Sequence, residues 1–124
     1  MTFSVIMLVT RLPGLTFEQF KNHYENKHVP LVMSILKDIL PISHTRHYVK
    51  RIDGAPTVFA GDAGTVDYDC ICRVELRDEA HFVKFNEAIA KSSRKAEIAA
   101  DQEAFADSSK FRVIAIDSTV VTVP

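Results

Sequence analysis

No stretch of this sequence is long and apolar enough to suggest a membrane span, which needs roughly 18 or more consecutive apolar residues. The N-terminal apolar stretch has no preceding positive charges and no small-residue cleavage pattern, so a buried strand is expected there rather than a signal peptide. Net charge is equally scarce: 15 basic and 16 acidic side chains leave −1. A near-neutral chain lacks the basic footprint that nucleic acid or an anionic membrane requires, and neither is expected as a partner. Cysteine is limited to Cys70 and Cys72. Two apart on a strand, they point the same way, a poor geometry for a disulfide. Reduced, buried thiols in a cytoplasmic protein are the expectation.

Nucleotide and flavin signatures are missing as well. There is no Gly-x-Gly-x-x-Gly, no phosphate loop and no Gly-x-Ser-x-Gly elbow, so no cofactor is expected. A metal lacks support too. His23 and His28 are five apart, not the three or four that align ligands on an α-helix, and His44 and His47 are three apart on a strand, where they point oppositely.

What is present fits one domain spanning residues 1–124. The chain is 47% apolar and 25% charged, an ordinary globular composition at a length that holds one core. Phe3 to Thr10 is apolar almost throughout and reads as a strand covered on both faces. Pro13-Gly14 ends it. Thr16-Phe17-Glu18-Gln19 is a capping box that starts a helix. Along that helix Phe17, Phe20, Tyr24 and His28 form one stripe, with His23 off it. A break or bend is predicted at Val29-Pro30, followed by a short helical stretch from Leu31 to Asp38.

Ser43 to Arg51 reads as a polar strand. Asp53 to Asp67 holds three of the four glycines and reads as a mobile loop. Tyr68 to Leu76 alternates: Tyr68, Cys70, Cys72, Val74 and Leu76 on one face, Asp69, Ile71, Arg73 and Glu75 on the other. Asp78 caps a helix that Ser92-Ser93 interrupts, another helix runs through Ile98 to Phe105, and Phe111 to Thr119 forms the last strand. The order is βαββαβ. It predicts an α+β, ferredoxin-like antiparallel sheet with helices on one face. The bare face then needs a cover. A second copy of the chain supplies it, so a homodimer is expected.

The segment Arg11-Leu-Pro-Gly-Leu-Thr-Phe-Glu-Gln-Phe20, followed by His23-Tyr-Glu-Asn-Lys-His-Val-Pro-Leu31, resembles the EthD-type family of the dimeric α+β barrel superfamily. Ser43 to Tyr48 and Ala100 to Glu103, with Phe111 to Val113, are similar to a fungal secondary-metabolite subgroup. The resemblance implies a homodimer with a cavity between each sheet and its helices. It also implies cofactor-free chemistry on polyketide-like or aromatic intermediates: dehydration, cyclisation, isomerisation or oxygenation.

His28 is the first candidate base, an imidazole on the inner helix stripe. The resemblance places the equivalent histidine in the cavity. His44, Arg46 and Tyr48 share one strand face, and His44 and Tyr48 are the candidate proton donors or oxyanion stabilisers. Thr45 and His47 share the other face, with His47 the substrate-contacting alternative under a one-residue register slip. Phe20 and Tyr24 are candidate substrate contacts. Asp69 and Arg73 are expected to pair across the dimer, and His81 to be solvated. The reading is a dehydratase or cyclase acting on a small hydrophobic, oxygenated substrate. A cofactor-free oxygenase and a non-catalytic binding protein are the alternatives.

Overall fold

The computed structural model describes residues 2–124. Strand β1 (Phe3–Val9) leads through the Gly14 turn to helix α1 (Phe17–His23), a π-helical turn (Tyr24–His28) and helix α2 (Val29–Ile35). Strand β2 (Ser43–Tyr48) and a small hairpin, β3 (Arg51–Ile52) and β4 (Ala55–Pro56), follow. Strand β5 (Cys70–Leu76), helices α3 (Glu79–Lys91) and α4 (Lys95–Glu103) and strand β6 (Arg112–Ala115) complete the chain. Four strands form one antiparallel sheet in the order β2-β5-β1-β6, so the architecture is α+β and ferredoxin-like. Among the described residues, no helix is long and apolar enough to cross a membrane.

The capping box forms as the sequence predicts. Thr16 Oγ1 accepts from the Gln19 amide at 3.1 Å, and Gln19 Oε1 accepts from the Thr16 amide at 2.9 Å. Pro30 does not break the helix. The Val29 amide donates instead to the Tyr24 carbonyl five residues back. A prolyl ring clashes with the carbonyl four residues earlier and offers no N–H of its own. Widening the preceding turn to π geometry accommodates it and lets α2 continue.

Strand alternation sorts the sheet's two faces. Val5 and Val9 of β1 and Cys70, Cys72, Val74 and Leu76 of β5 are buried toward the helices. Two core clusters result. One joins Val9, Phe20, Tyr24, Cys70, Cys72, Phe105 and Ala106, and the other joins Val5, Val74 and Leu76 to Phe3, Phe82 and Phe85. The opposite face carries Ile6, Leu8, Ile71 and Ile114 in register, since Ile6 pairs with Ile114 and Leu8 with Ile71. Ile114 is exposed.

Several boundaries differ from the sequence reading. Strand β2 stops at Tyr48, and Arg51 opens the hairpin instead. That hairpin turns on Asp53 and Gly54, both at positive φ (52° and 80°), the backbone that a tight two-residue loop requires. The glycine-rich stretch is therefore partly folded. Strand β6 ends at Ala115 rather than Thr119. Its last bond runs from the Ile116 amide to the Ser4 carbonyl, where β1 itself begins and the template ends.

Two polar readings are also corrected. Asp69 does not pair with Arg73. It is buried beside Arg51 and accepts the Arg11 amide at 2.8 Å, tying the hairpin to the end of β1, while Arg73 bridges to Glu75 at 3.0 Å. His81 is not solvated but 2% exposed. Its Nδ1 accepts the Arg77 amide at 3.1 Å and its Nε2–H donates to the Ile39 carbonyl at 3.0 Å, so it pins the start of α3 to the segment after α2.

Candidate functional site

A cavity of about 210 Å³ lies between the helices and the sheet, bounded by residues of both core clusters. Its wall is largely apolar: Val5, Met7 and Val9 from β1, Val29, Val32 and Met33 from the helical layer, and Phe82, Phe85 and Ile89 from α3. Into this wall project His28, Tyr24 and His44, with the amides of Asn86 and Gln102. An apolar chamber with few converging polar groups is the usual form of a small-molecule site.

His28 closes the π-turn and is 8% exposed. Its Nδ1 lies 2.9 Å from Asp101 Oδ2 on α4. Burial and the carboxylate act on it oppositely. Burial is the larger effect and lowers the imidazole below its ordinary 6.5, while the hydrogen bond and charge of Asp101 partly offset this. Asp101 is itself lowered: burial would raise it, but the hydrogen bonds from His28 and His23 prevail. An ionised Asp101 accepts at Oδ2, so it holds the His28 proton on Nδ1. Nε2 is left bare, without a protein partner among the described residues, on a ring that lines the cavity. This is the orientation a general base requires.

Tyr24 and His44 stand beside it. The Tyr24 ring centroid is 6.0 Å from that of His28 and 6.1 Å from that of His44. The Tyr24 hydroxyl is 3.4 Å from His44 Nε2 and 3.2 Å from Cys72 Sγ. Burial, then the neighbouring Cys72, pushes the phenol well above its usual 10, so it remains a proton donor at neutral pH. His44 reaches the cavity because β2 alternates: His44, Arg46 and Tyr48 face the helices, and Thr45 and His47 face away.

The other candidates separate from this group. Tyr48 faces inward but lies outside the cavity lining. Its ring packs against Phe17, Phe20 and Tyr24, and its hydroxyl donates to Glu25. Glu25 also receives a bidentate bond from Arg46, with Arg46 Nη2 to Glu25 Oε1 at 2.9 Å. The Arg46 bonds, foremost, hold Glu25 below the ordinary carboxylate range. This Glu25–Arg46–Tyr48 clamp fastens β2 to the π-turn, and Tyr24 supplies the phenol that the cavity presents. Phe20 is fully buried behind the wall, and His47 lies exposed on the opposite sheet face.

Asp101 and Glu25 were not singled out from the sequence. Asp101 is 73 residues from His28, and no local spacing signals their meeting. Among the described residues, no group of three or more His, Cys, Asp and Glu side chains is placed to hold a metal ion.

A family model described as the EthD domain matches residues 12–109. The chain belongs to the EthD domain family. Solved structures agree with the fold. An EthD family protein from Bacillus halodurans C-125 is 14% identical, with a TM-score of 0.60 over 96% of this chain and all of that one. An EthD-like protein from Ralstonia eutropha JMP134 is 17% identical, with a TM-score of 0.53 over 93% of this chain and 86% of its own. A hypothetical Arabidopsis thaliana protein solved in solution is 14% identical, with a TM-score of 0.55 over 98% and 91%. At these identities the likeness is one of fold. No curated protein matches the chain. EthD membership accounts for the layer of helices on one sheet face.

Proposed function

We propose that this EthD-family chain is a cofactor-independent acid/base enzyme, a dehydratase or cyclase of a polyketide-like or aromatic intermediate. One observation carries the reading. His28 is oriented by Asp101 through Nδ1, and its bare Nε2 belongs to an apolar cavity that also holds a protonated phenol. Removing a proton beside a carbonyl needs a placed base and a donor for the developing enolate oxygen, and little else.

In this mechanism the C–H bond breaks and its proton passes to His28 Nε2. The electron pair moves onto the carbonyl oxygen, which accepts a hydrogen bond from Tyr24, with His44 3.4 Å from the same hydroxyl. The enolate then expels a β-hydroxyl as water, or attacks a second carbonyl and closes a ring. Either way His28 returns the proton. The apolar wall limits the contact of bulk water with the enolate. A homodimer formed across the Ile6, Leu8, Ile71 and Ile114 face would leave this cavity, on the other side of the sheet, intact in each copy.

The test needs no natural substrate. Incubated with 2-tetralone in D2O, the wild-type protein is expected to accelerate deuterium entry beside the carbonyl, followed by NMR. His28→Gln should remove about 10²-fold or more of that acceleration. Asp101→Asn should remove a comparable part, because the amide no longer enforces the Nδ1–H tautomer. Equal acceleration by His28→Gln and wild type, with both folded by circular dichroism, would refute the assignment. With a natural substrate, loss of one water's mass separates dehydration from ring closure without it.

A further inference from the structure

Asp101 does not serve His28 alone. Its second oxygen, Oδ1, lies 2.9 Å from Nε2 of His23, whose ring stacks on Phe105 at 4.9 Å. The two histidines are five residues apart. On an α-helix at 100° per residue they would point roughly 140° away from each other. The π-turn between them closes its hydrogen bond over five residues, and this brings both rings to one carboxylate. The two rings meet different surroundings. His28 lines the cavity between the helices and the sheet, whereas His23 lines a shallow outer depression with Gln19, Asn22, Asn26 and Lys27, and its side chain is 20% exposed.

We propose that His23 is a positioning residue for the base: through the carboxylate they share, it holds Asp101 against His28, and as a second imidazole across that carboxylate it opposes a positive charge on His28. The inference rests on the reading of His28 as the base and deepens it. One carboxylate faces two imidazoles, so their titrations are coupled. Across Asp101, the His23 imidazole acts to lower the titration of His28.

The other charged and titratable groups facing this trio are Lys27 of the π-turn, 3.6 Å from Asp101 Oδ1, Glu97 one helical turn earlier on α4, His44 of β2 and the neutral Tyr24. All of them are kept in a protein changed only at position 23, with Lys27 on the same Asp101 oxygen that His23 meets.

The experiment is an NMR titration of the histidine ring nitrogens in the intact protein, wild type against His23→Gln. Glutamine can still donate to Asp101 Oδ1 but cannot take a proton, so a purely structural role for His23 would leave the His28 titration where it is. The expected results are an Nδ1–H tautomer for neutral His28 and an upward move of the His28 midpoint by about half a unit or more in His23→Gln. An unmoved midpoint in a folded His23→Gln protein overturns the proposal. The titration requires no turnover. Absent deuterium entry into 2-tetralone alongside a shifted midpoint would count against the base reading alone. Deuterium entry with an unmoved midpoint would count against His23 alone.

Discussion

At the level of single residues, the site turns on which nitrogen carries a proton and which group is kept dry. His28 has its titration lowered by burial, and the sign of the consequence for stability follows. The unfolded chain protonates this histidine near the ordinary 6.5, while the folded chain resists until lower pH. Below 6.5 the unfolded state thus binds more protons, and stability falls as the medium is acidified through that window. The carboxylates act elsewhere. Asp101 and Glu25 are lowered from 3.8 and 4.5, so the stability they contribute is present above those values and is lost as pH falls through their lower folded values. Urea denaturation at pH 7 and pH 5 should therefore show a loss for the wild type that shrinks in His28→Gln. An equal loss in both proteins would place the effect on another group. Residue identity alone pointed to His28, His44 and Tyr48 as chemical side chains and gave Tyr24 only as a substrate contact. It could not find Asp101, whose role depends on a contact across 73 residues, nor could it show that Tyr48 is occupied by Glu25. His81 was misjudged for the same reason, because its partners Arg77 and Ile39 become visible only once α3 docks.

At the level of elements, local signals were legible wherever the chemistry is local. The capping box at Thr16, the Asp78 cap accepting from the His81 amide, and the alternation along β5 are all patterns within a few residues. The π-turn was not legible, although its cause was. Pro30 announces a conflict with the α-helical ladder, but three outcomes were open: a stop, a kink or a widened turn. The third prevails here, with Tyr24 and His28 held in the wall of a cavity that a stopped helix would not complete. The entry to this element is set by Thr16. Thr16→Ala removes the oxygen that accepts the Gln19 amide and should lower stability by about 1 kcal/mol, read as a shift in denaturation midpoint at unchanged m-value. Thr16→Ser should restore most of it. Because Phe17 and Phe20 follow at once and pack against Tyr48, the loss should reach the tertiary structure and not fray one helix end alone.

At the level of the whole molecule, the sheet has two unlike faces. One is covered by helices and encloses the cavity. The other sets Ile6, Leu8, Ile71 and Ile114 side by side, with Arg73, Glu75, Thr45 and His47 around them. A contiguous apolar centre with a polar border is the pattern of a protein–protein contact rather than of bare surface. Ile71 sits on β5, an interior strand, next to Leu8 on one side and His47 on the other. An acidic side chain there would be desolvated at the centre of any contact but tolerated in water. Ile71→Glu should therefore bring the mass measured by light scattering from about twice 13.9 kDa down to the single-chain value. The cavity lies across the sheet from this substitution, so deuterium entry into 2-tetralone should persist in the monomer. A wild type already running as a single chain would remove the homodimer. A monomeric Ile71→Glu protein that no longer exchanges would mean instead that the second copy supports the cavity through the sheet, linking association to the chemistry of His28.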